Sequence, residues 1–397
     1  EQLINITDAV FLGHVGEVAL GASAIAGIYY LAIYMLGFGF SIGLQVMIAR
    51  RNGERNYKAT GKTFFQGLFF LSGLAIPLCL LITSPEIYQA VVRYLDWRSF
   101  GLLFSFPFLA IRSFFVGITF TKALSWAAII AVIINISLNY FLIFALELDI
   151  SGAAIASSLA EMGSLVMLCI YMYWKIDKEK YGLYPGWDGK LLVNVLNLSV
   201  WSMFHAFISV APWFLFFVAI EHLGRTELAI SNITRSVSAL FFVIANSFAV
   251  TTGSLVSNAI GAGVGNELFA ICSKVLKLGY AIGVPLVGIA MCCNRWIVGF
   301  YTDSETLIQL AFVPFIVMLL NYTFALPGYV YLNAVGGTGK TKITFLFQVT
   351  TTFVYLTYLF LLSFYTQVSL AVYLTAEYLF VILLAVQSII YLKYKHY

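Results

Sequence analysis

Residues 175–190 read KIDKEKYGLYPGWDGK, with seven charged side chains in sixteen positions. On either side the chain returns at once to apolar runs, and it has no other polar linker of this size. A helix needs about 20 mainly apolar residues to cross a bilayer. By that measure six segments precede the linker, near 1–13, 21–48, 63–84, 99–120, 123–145 and 151–174. Six more follow it, near 191–220, 227–256, 268–293, 306–334, 343–364 and 368–392. The first is too short to cross and reads as the second half of a helix. The sequence therefore predicts an all-α polytopic membrane protein of twelve transmembrane helices. Its parts are an N-lobe over 1–174, a linker over 175–190 and a C-lobe over 191–397. Prolines 77, 107, 212, 285, 314 and 327 lie within these spans. Each removes a backbone donor, so the spans that carry them are expected to bend.

Composition leaves little room for another class. Of 397 residues, 61% are hydrophobic and 10% charged, and the mean hydropathy is +0.93. A soluble domain carries roughly 25% charged residues. A chain so short of charge cannot cover a water-facing surface, which excludes a soluble enzyme, a disordered protein and a nucleic-acid binder. The five cysteines all lie in apolar stretches, without zinc-ligand or disulfide-framework spacing, and read as free thiols.

Lysine and arginine set the orientation. Alternate connections hold Arg50, Arg51, Arg55, Lys58, Lys62, Arg112, Lys122, Lys175, Lys178, Lys180, Lys190, Lys274, Lys277, Lys340, Lys342, Lys393 and Lys395, 17 of 22. The opposite connections hold only Arg93, Arg98, Arg225 and Arg295, and Arg235 falls inside a span. The positive-inside rule then places the linker and both termini in the cytoplasm. An even number of spans requires the same thing.

The two halves resemble each other. A shift of 208 positions carries His14 and Gly16 onto His222 and Gly224, and Leu20, Ser23, Ile25, Phe40 and Gly53 onto Leu228, Ser231, Ile233, Phe248 and Gly261. Farther on, Thr121-Lys122 matches Thr341-Lys342, and Ala160-Glu161 matches Ala376-Glu377. Because each half has an even span count, the repeats enter the membrane from the same side. Secondary transporters use such parallel repeats to open a central cavity by rocking.

An ionisable side chain in the hydrocarbon costs several kcal/mol on insertion scales, so each invites a functional reading. The candidates are Asp8, Glu161, Arg235 and Glu377. At 1.5 Å per residue, Asp8 lies about 8 Å and Asn139 about 9 Å from the outer ends of their spans. Asn135 and Asn139, and likewise Ser157 and Glu161, are four residues apart and share a helical face. Three spans thus bring oxygen groups to two matched levels, as a proton or a small hard cation requires. Removal from water favours the neutral form of a carboxyl, which lets a proton bind and leave near neutral pH. Arg235 and Glu377, opposite in sign and at similar depth, are expected to form a buried structural ion pair.

Short motifs carry a family resemblance across nearly the whole chain. Asp8-Ala9-Val10-Phe11-Leu12-Gly13-His14-Val15-Gly16-Glu17 resembles the first-span D-T-x-x-x-G-x-x-G-E of the MATE (multidrug and toxic compound extrusion) transporters. Gly39-Phe40-Ser41-Ile42-Gly43 with Ala49-Arg50-Arg51-Asn52-Gly53 resembles the end of that family's second span. So do Asn135 to Phe144, Gly152 to Ala156, and Gly336 to Thr341 for later spans. The resemblance implies two pseudo-symmetric six-helix lobes in a V. It implies export of small cationic or amphipathic organic compounds against inward H⁺ or Na⁺. It also implies a first-lobe cation or proton site at Asp8, Asn135, Asn139 and Ser157. Asn139 stands where the family has an acid, and Glu161, one turn from Ser157, is close enough to substitute. That leaves a protonation switch favoured over a tight Na⁺ site. The acids that the sodium-coupled branch carries in spans seven and ten correspond to Ser209 and Ala325.

No cofactor beyond the coupling ion, no catalytic residue and no resident metal is implied. Gly339-Lys340-Thr341 resembles the end of a phosphate loop, but it follows a membrane helix rather than a strand. ATP is therefore not expected as a partner. The reading is of a monomer in the inner membrane of a cell, with the lipid bilayer and its substrates as partners. The alternative cargo for the same architecture is a lipid-linked saccharide, flipped rather than exported.

Overall fold

We describe a computed structural model of the chain for residues 7–8, 11–12, 17–82, 89–302, 304–364 and 368–394. Every regular element among them is helical, and they form two compact units, Glu1–Met203 and Phe204–Tyr397.

The first unit contains α1 (Glu17–Gly53), α2 (Tyr57–Ile82), α3 (Gln89–Ser99), α4 (Leu102–Gly117), α5 (Lys122–Asn139), α6 (Asp149–Lys175) and most of α7 (Gly189–Ile208). Thr7, Asp8, Phe11 and Leu12 are helical as well, while the rest of the expected first span lies outside the described residues. The second unit contains α8 (Ala211–Ile220), α9 (Arg225–Gly261), α10 (Leu268–Cys292), α11 (Asn294–Gly299), α12 (Glu305–Leu320), α13 (Tyr322–Gly337), α14 (Thr341–Ser363) and α15 (Leu370–Tyr394). Phe40, Phe64, Phe106 and Phe114 lie at the centre of the first core, and Phe216, Phe315, Tyr355 and Phe380 at that of the second.

Among the described residues nine helices are long and apolar enough to cross a membrane, or ten if the bent pair α3–α4 is one span. They stand where the sequence places spans two and four to twelve. At the third position α2 is a helix of 26 residues, with Lys58, Lys62 and Gln66 in its first three turns. Prolines account for only some of the breaks. Pro212 opens α8 just after the interruption at Ser209 and Val210. The helices run on through Pro77, Pro107, Pro285, Pro314 and Pro327, and the break between α12 and α13 falls at Asn321 instead.

The polar stretch 175–190 is held against α2. Gln66 donates to the Gly186 carbonyl at 2.7 Å and accepts from the Asp188 amide at 3.1 Å. Asp177 Oδ1 caps a turn by accepting from the amides of Glu179 and Lys180 at 3.0 and 2.9 Å. Asp188 Oδ1 receives the Leu191 amide at 3.0 Å and starts α7, as an N-cap does.

Candidate ion-binding site

The site begins with the pattern of α5. Its buried residues are Ala123, Ala127, Ala131, Asn135 and Asn139, one every fourth position along a single stripe. The opposite face exposes Trp126, Ile129, Ile133 and Ile136, as a lipid-facing surface would. Three alanines let α6 approach closely, and α6 answers with Gly152, Ala153, Ala156, Ser157 and Ala160 in its own buried face. Small residues at such an interface let the backbones come together and bring short polar side chains within reach. Beyond Asn139 the helix widens into a π turn, Tyr140–Ala145. Turns of this kind are frequent at functional sites.

Asp8 meets that interface. It is 5% exposed, and Asn135, Asn139 and Ser157 are fully buried. Asn135 Nδ2 and Asn139 Nδ2 donate to Asp8 Oδ1 at 3.0 and 2.7 Å, and Ser157 Oγ donates to Asp8 Oδ2 at 2.5 Å. Asn135 Nδ2 also reaches Ser157 Oγ at 3.1 Å, and Asn139 Nδ2 reaches Asn135 Oδ1 at 3.2 Å. Four of the five residues expected to form the site are therefore one hydrogen-bonded cluster. Three donors converge on one carboxylate, each of a strength raised by the charge. The amide oxygen Asn139 Oδ1 is buried there without a partner among the described residues.

Glu161 is the exception. It shares a face of α6 with Ser157 but is paired with other partners. Arg98 Nη2 donates to Glu161 Oε1 at 2.6 Å, and the Tyr30 hydroxyl lies 3.1 Å from both carboxylate oxygens. The guanidinium carbon sits 3.9 Å from the centre of the Tyr30 ring. Arg98 was expected in an outer connection; it is 3% exposed, one residue from the end of α3. An unpaired glutamate at this depth would be costly, and the arginine at the break between α3 and α4 is drawn inward to meet it. The backbone must pass close by. A Cβ on Gly101 would stand 2.5 Å from Arg98 Nη1 and 2.6 Å from Glu161 Oε2. Gly101→Ala is therefore expected to destabilise the first unit by about 1–3 kcal/mol, the usual range for overpacking, seen as a lower unfolding midpoint in detergent.

The second unit holds the other expected pair. Arg235 Nη1 and Glu377 Oε1 are 2.9 Å apart, and the Tyr355 hydroxyl donates to the same oxygen at 3.1 Å. The Arg235 guanidinium lies 4.4 Å from the ring centre of Trp213 and 4.5 Å from that of Phe216. The repeat shows why this unit has no counterpart of the Asp8 cluster. A shift of 208 sets Phe216 at the place of Asp8. The Thr-Lys match sets Tyr355 and Leu359 at those of Asn135 and Asn139, and the Ala-Glu match sets Tyr373 at that of Ser157. All four replacements are buried, so aromatic and aliphatic side chains fill the equivalent positions.

Arg98, Tyr30 and Tyr355 did not stand out in the sequence as site residues. One signal was present: Glu161 and Glu377 are repeat-related, and the rule that found an arginine for the second also demands one for the first. Tyrosines are too common here, at 24, to single out by composition.

Similarity to known proteins agrees with this geometry. The MatE family model matches residues 1–141 and 202–361. Multidrug and toxin extrusion protein 2 of Mus musculus is 25% identical over 369 residues, covering 86% of this chain and 62% of its own length. A probable multidrug resistance protein NorM of Agrobacterium fabrum is 22% identical over 305 residues, covering 72% of this chain and 65% of its own. The chain thus spans less than two thirds of either relative. A solved outward-facing multidrug resistance MATE family transporter of the MOP superfamily superposes with a TM-score of 0.90 at 17% identity, covering 99% of this chain and 91% of that one. With the family model matched across both halves and the helical fold shared from end to end, the chain belongs to the MatE family.

Proposed function

We propose that the protein is a secondary active exporter of small cationic or amphipathic organic compounds, exchanged for protons by alternating access. The observation that carries this reading is the Asp8 cluster: one buried carboxylate, met by three side-chain donors, whose charge no cation pairs by direct contact among the described residues. Ionised, Asp8 accepts from Asn135, Asn139 and Ser157. Once protonated it needs an acceptor, and within the cluster Asn139 Oδ1 is buried without a partner among the described residues. Rotation of the Asn139 amide would present that oxygen to the new O–H. The two charge states of Asp8 would thus favour two arrangements of α5 against the first helix. The relatives whose names speak of multidrug resistance or extrusion support the cargo class. Against a pyrophosphate-bearing lipid, the buried Arg98 and Arg235 are both already engaged by glutamates. In the membrane the termini and the linker would face the cytoplasm, and a single chain would suffice.

Reconstitution into vesicles tests the proposal. A pH gradient at uniform Na⁺ should drive ethidium against its concentration gradient, whereas a Na⁺ gradient at uniform pH should not. Movement driven by Na⁺ alone would overturn the choice of ion, and no movement under either gradient would overturn the exporter.

A further inference from the structure

Resting on Asp8 as the ion carrier, a second feature of the first unit bears on how many ions it carries. Among the described residues, the acids and bases near Asp8 are Glu161 on α6 and Arg98 on α3, with the phenols of Tyr30 on α1 and Tyr94 on α3 beside them. Two carboxylates and one guanidinium sum to a single negative charge when Asp8 is ionised. One monovalent cation brings the cluster to neutrality, and a second would leave an uncompensated positive charge in a low-dielectric interior, which is strongly unfavourable.

We propose that Arg98 is a resident cation of the first unit. Its tethered guanidinium holds the place beside Glu161 that a second coupling ion would otherwise occupy, and so limits the unit to one mobile cation per turnover. Arg98 is then a specificity-determining residue that acts through Glu161 and touches neither substrate nor coupling ion.

The surroundings fit a captive charge rather than an exchangeable one. The guanidinium is capped by the Tyr30 ring at 3.9 Å and its pairing carboxylate is held by the Tyr30 hydroxyl at 3.1 Å. Gly101 packs against the pair so closely that a Cβ there would collide with both partners. The chain that carries Arg98 is itself fixed to α6, because Ser158 Oγ donates to the Trp97 carbonyl at 3.0 Å. Asp8, by contrast, is held among the described residues by rotatable amides and a hydroxyl, and no guanidinium is bonded to it there.

The second unit makes the same point by repetition. Its repeat-related Glu377 also carries a guanidinium and a phenol, from Arg235 and Tyr355. The guanidinium arrives there from α9, the repeat counterpart of α1, and not from the counterpart of α3. What recurs is the charge content around the glutamate, not the position of the arginine. Each unit neutralises that glutamate internally, and only the first adds Asp8 to it.

The test is the ion-to-substrate ratio, read in vesicles with the membrane potential clamped at zero and ethidium as the transported cation. A one-unit pH gradient sustains about a tenfold ethidium ratio for one proton and about a hundredfold ratio for two, since each tenfold is one equal step in free energy. Wild type and Arg98→Lys should plateau near tenfold. Arg98→Gln frees Glu161 and should plateau near a hundredfold, and the added Glu161→Gln should return the plateau to tenfold. A folded Arg98→Gln that still plateaus near tenfold would overturn the proposal. Should Arg98→Gln not survive reconstitution, the charge-balanced double variant decides alone: a plateau near one means that the pair itself carries the ion, against the proposal. Asp8→Asn, measured alongside, separates the two ideas. If it keeps the tenfold plateau, the ion-carrier reading fails. If it loses the plateau while Arg98→Gln stays at tenfold, only the resident-cation inference fails.

Discussion

Asp8→Asn should reduce the ethidium ratio sustained by a one-unit pH gradient from about tenfold to about one, while leaving downhill exchange in place. The tenfold figure follows from one proton per substrate, because a tenfold concentration ratio and one pH unit each correspond to about 1.4 kcal/mol. An asparagine has the shape of the aspartic acid but cannot take up or release a proton, so the gradient loses its grip on the transport cycle. The fold should tolerate the change. The amides of Asn135 and Asn139, now 3.0 and 2.7 Å from Oδ1, can still donate to a carbonyl oxygen in the same place. Only Ser157, whose hydroxyl donates to Oδ2, would have to turn and accept from the new NH₂. Loss of uphill movement with retained downhill exchange therefore distinguishes a lost coupling step from a lost structure. A variant that still accumulates ethidium tenfold would show that the proton travels elsewhere.

The parts of this arrangement differ in how far the sequence reveals them. Helices that need only length and apolarity are legible, as α5, α6 and the spans of the second unit show, because the bilayer enforces both. The Asp8 cluster was legible too, since the four-residue spacing of Asn135 and Asn139 places them on one helical face whatever packs against it. The direction of the Glu161 side chain was not. Residues 157 and 161 share a face, but that face is wide enough to meet two neighbours, and α3 claims one edge of it. Arg98 was hidden for a related reason: it sits near the break of a bent pair, where a hydropathy reading sees the end of a loop. The bend of 40° between Arg93–Ser99 and Leu102–Gly117 falls at Phe100 and Gly101, where hydropathy does not change enough to show it. Proline is a poor guide for the same reason, because the break at Asn321 has no proline beside it, while five prolines sit within helices that continue.

The second large effect is expected on stability. Glu377→Gln should destabilise the second unit by about 3–5 kcal/mol, the usual result of removing one partner from a buried ion pair. Arg235 is 3% exposed and has no other carboxylate at hydrogen-bonding distance among the described residues. Its neighbours on the other side are the rings of Trp213, Phe216 and Phe217, which stabilise a desolvated cation by about 2 kcal/mol or more but carry no net negative charge to replace a counter-ion. The Tyr355 hydroxyl can still donate to the glutamine oxygen, so the loss should come from the stranded guanidinium rather than from the phenol. The check is the double variant Arg235→Met with Glu377→Gln. Without either charge the site should recover most of the lost stability, because an apolar side chain of similar length suits the same aromatic bed. Unfolding midpoints in detergent for the two single variants and the double variant give the coupling directly. If the double variant is as unstable as Glu377→Gln alone, the pair is not what holds α9 to α15, and the weight must rest on the aromatic core around Tyr355 and Phe380.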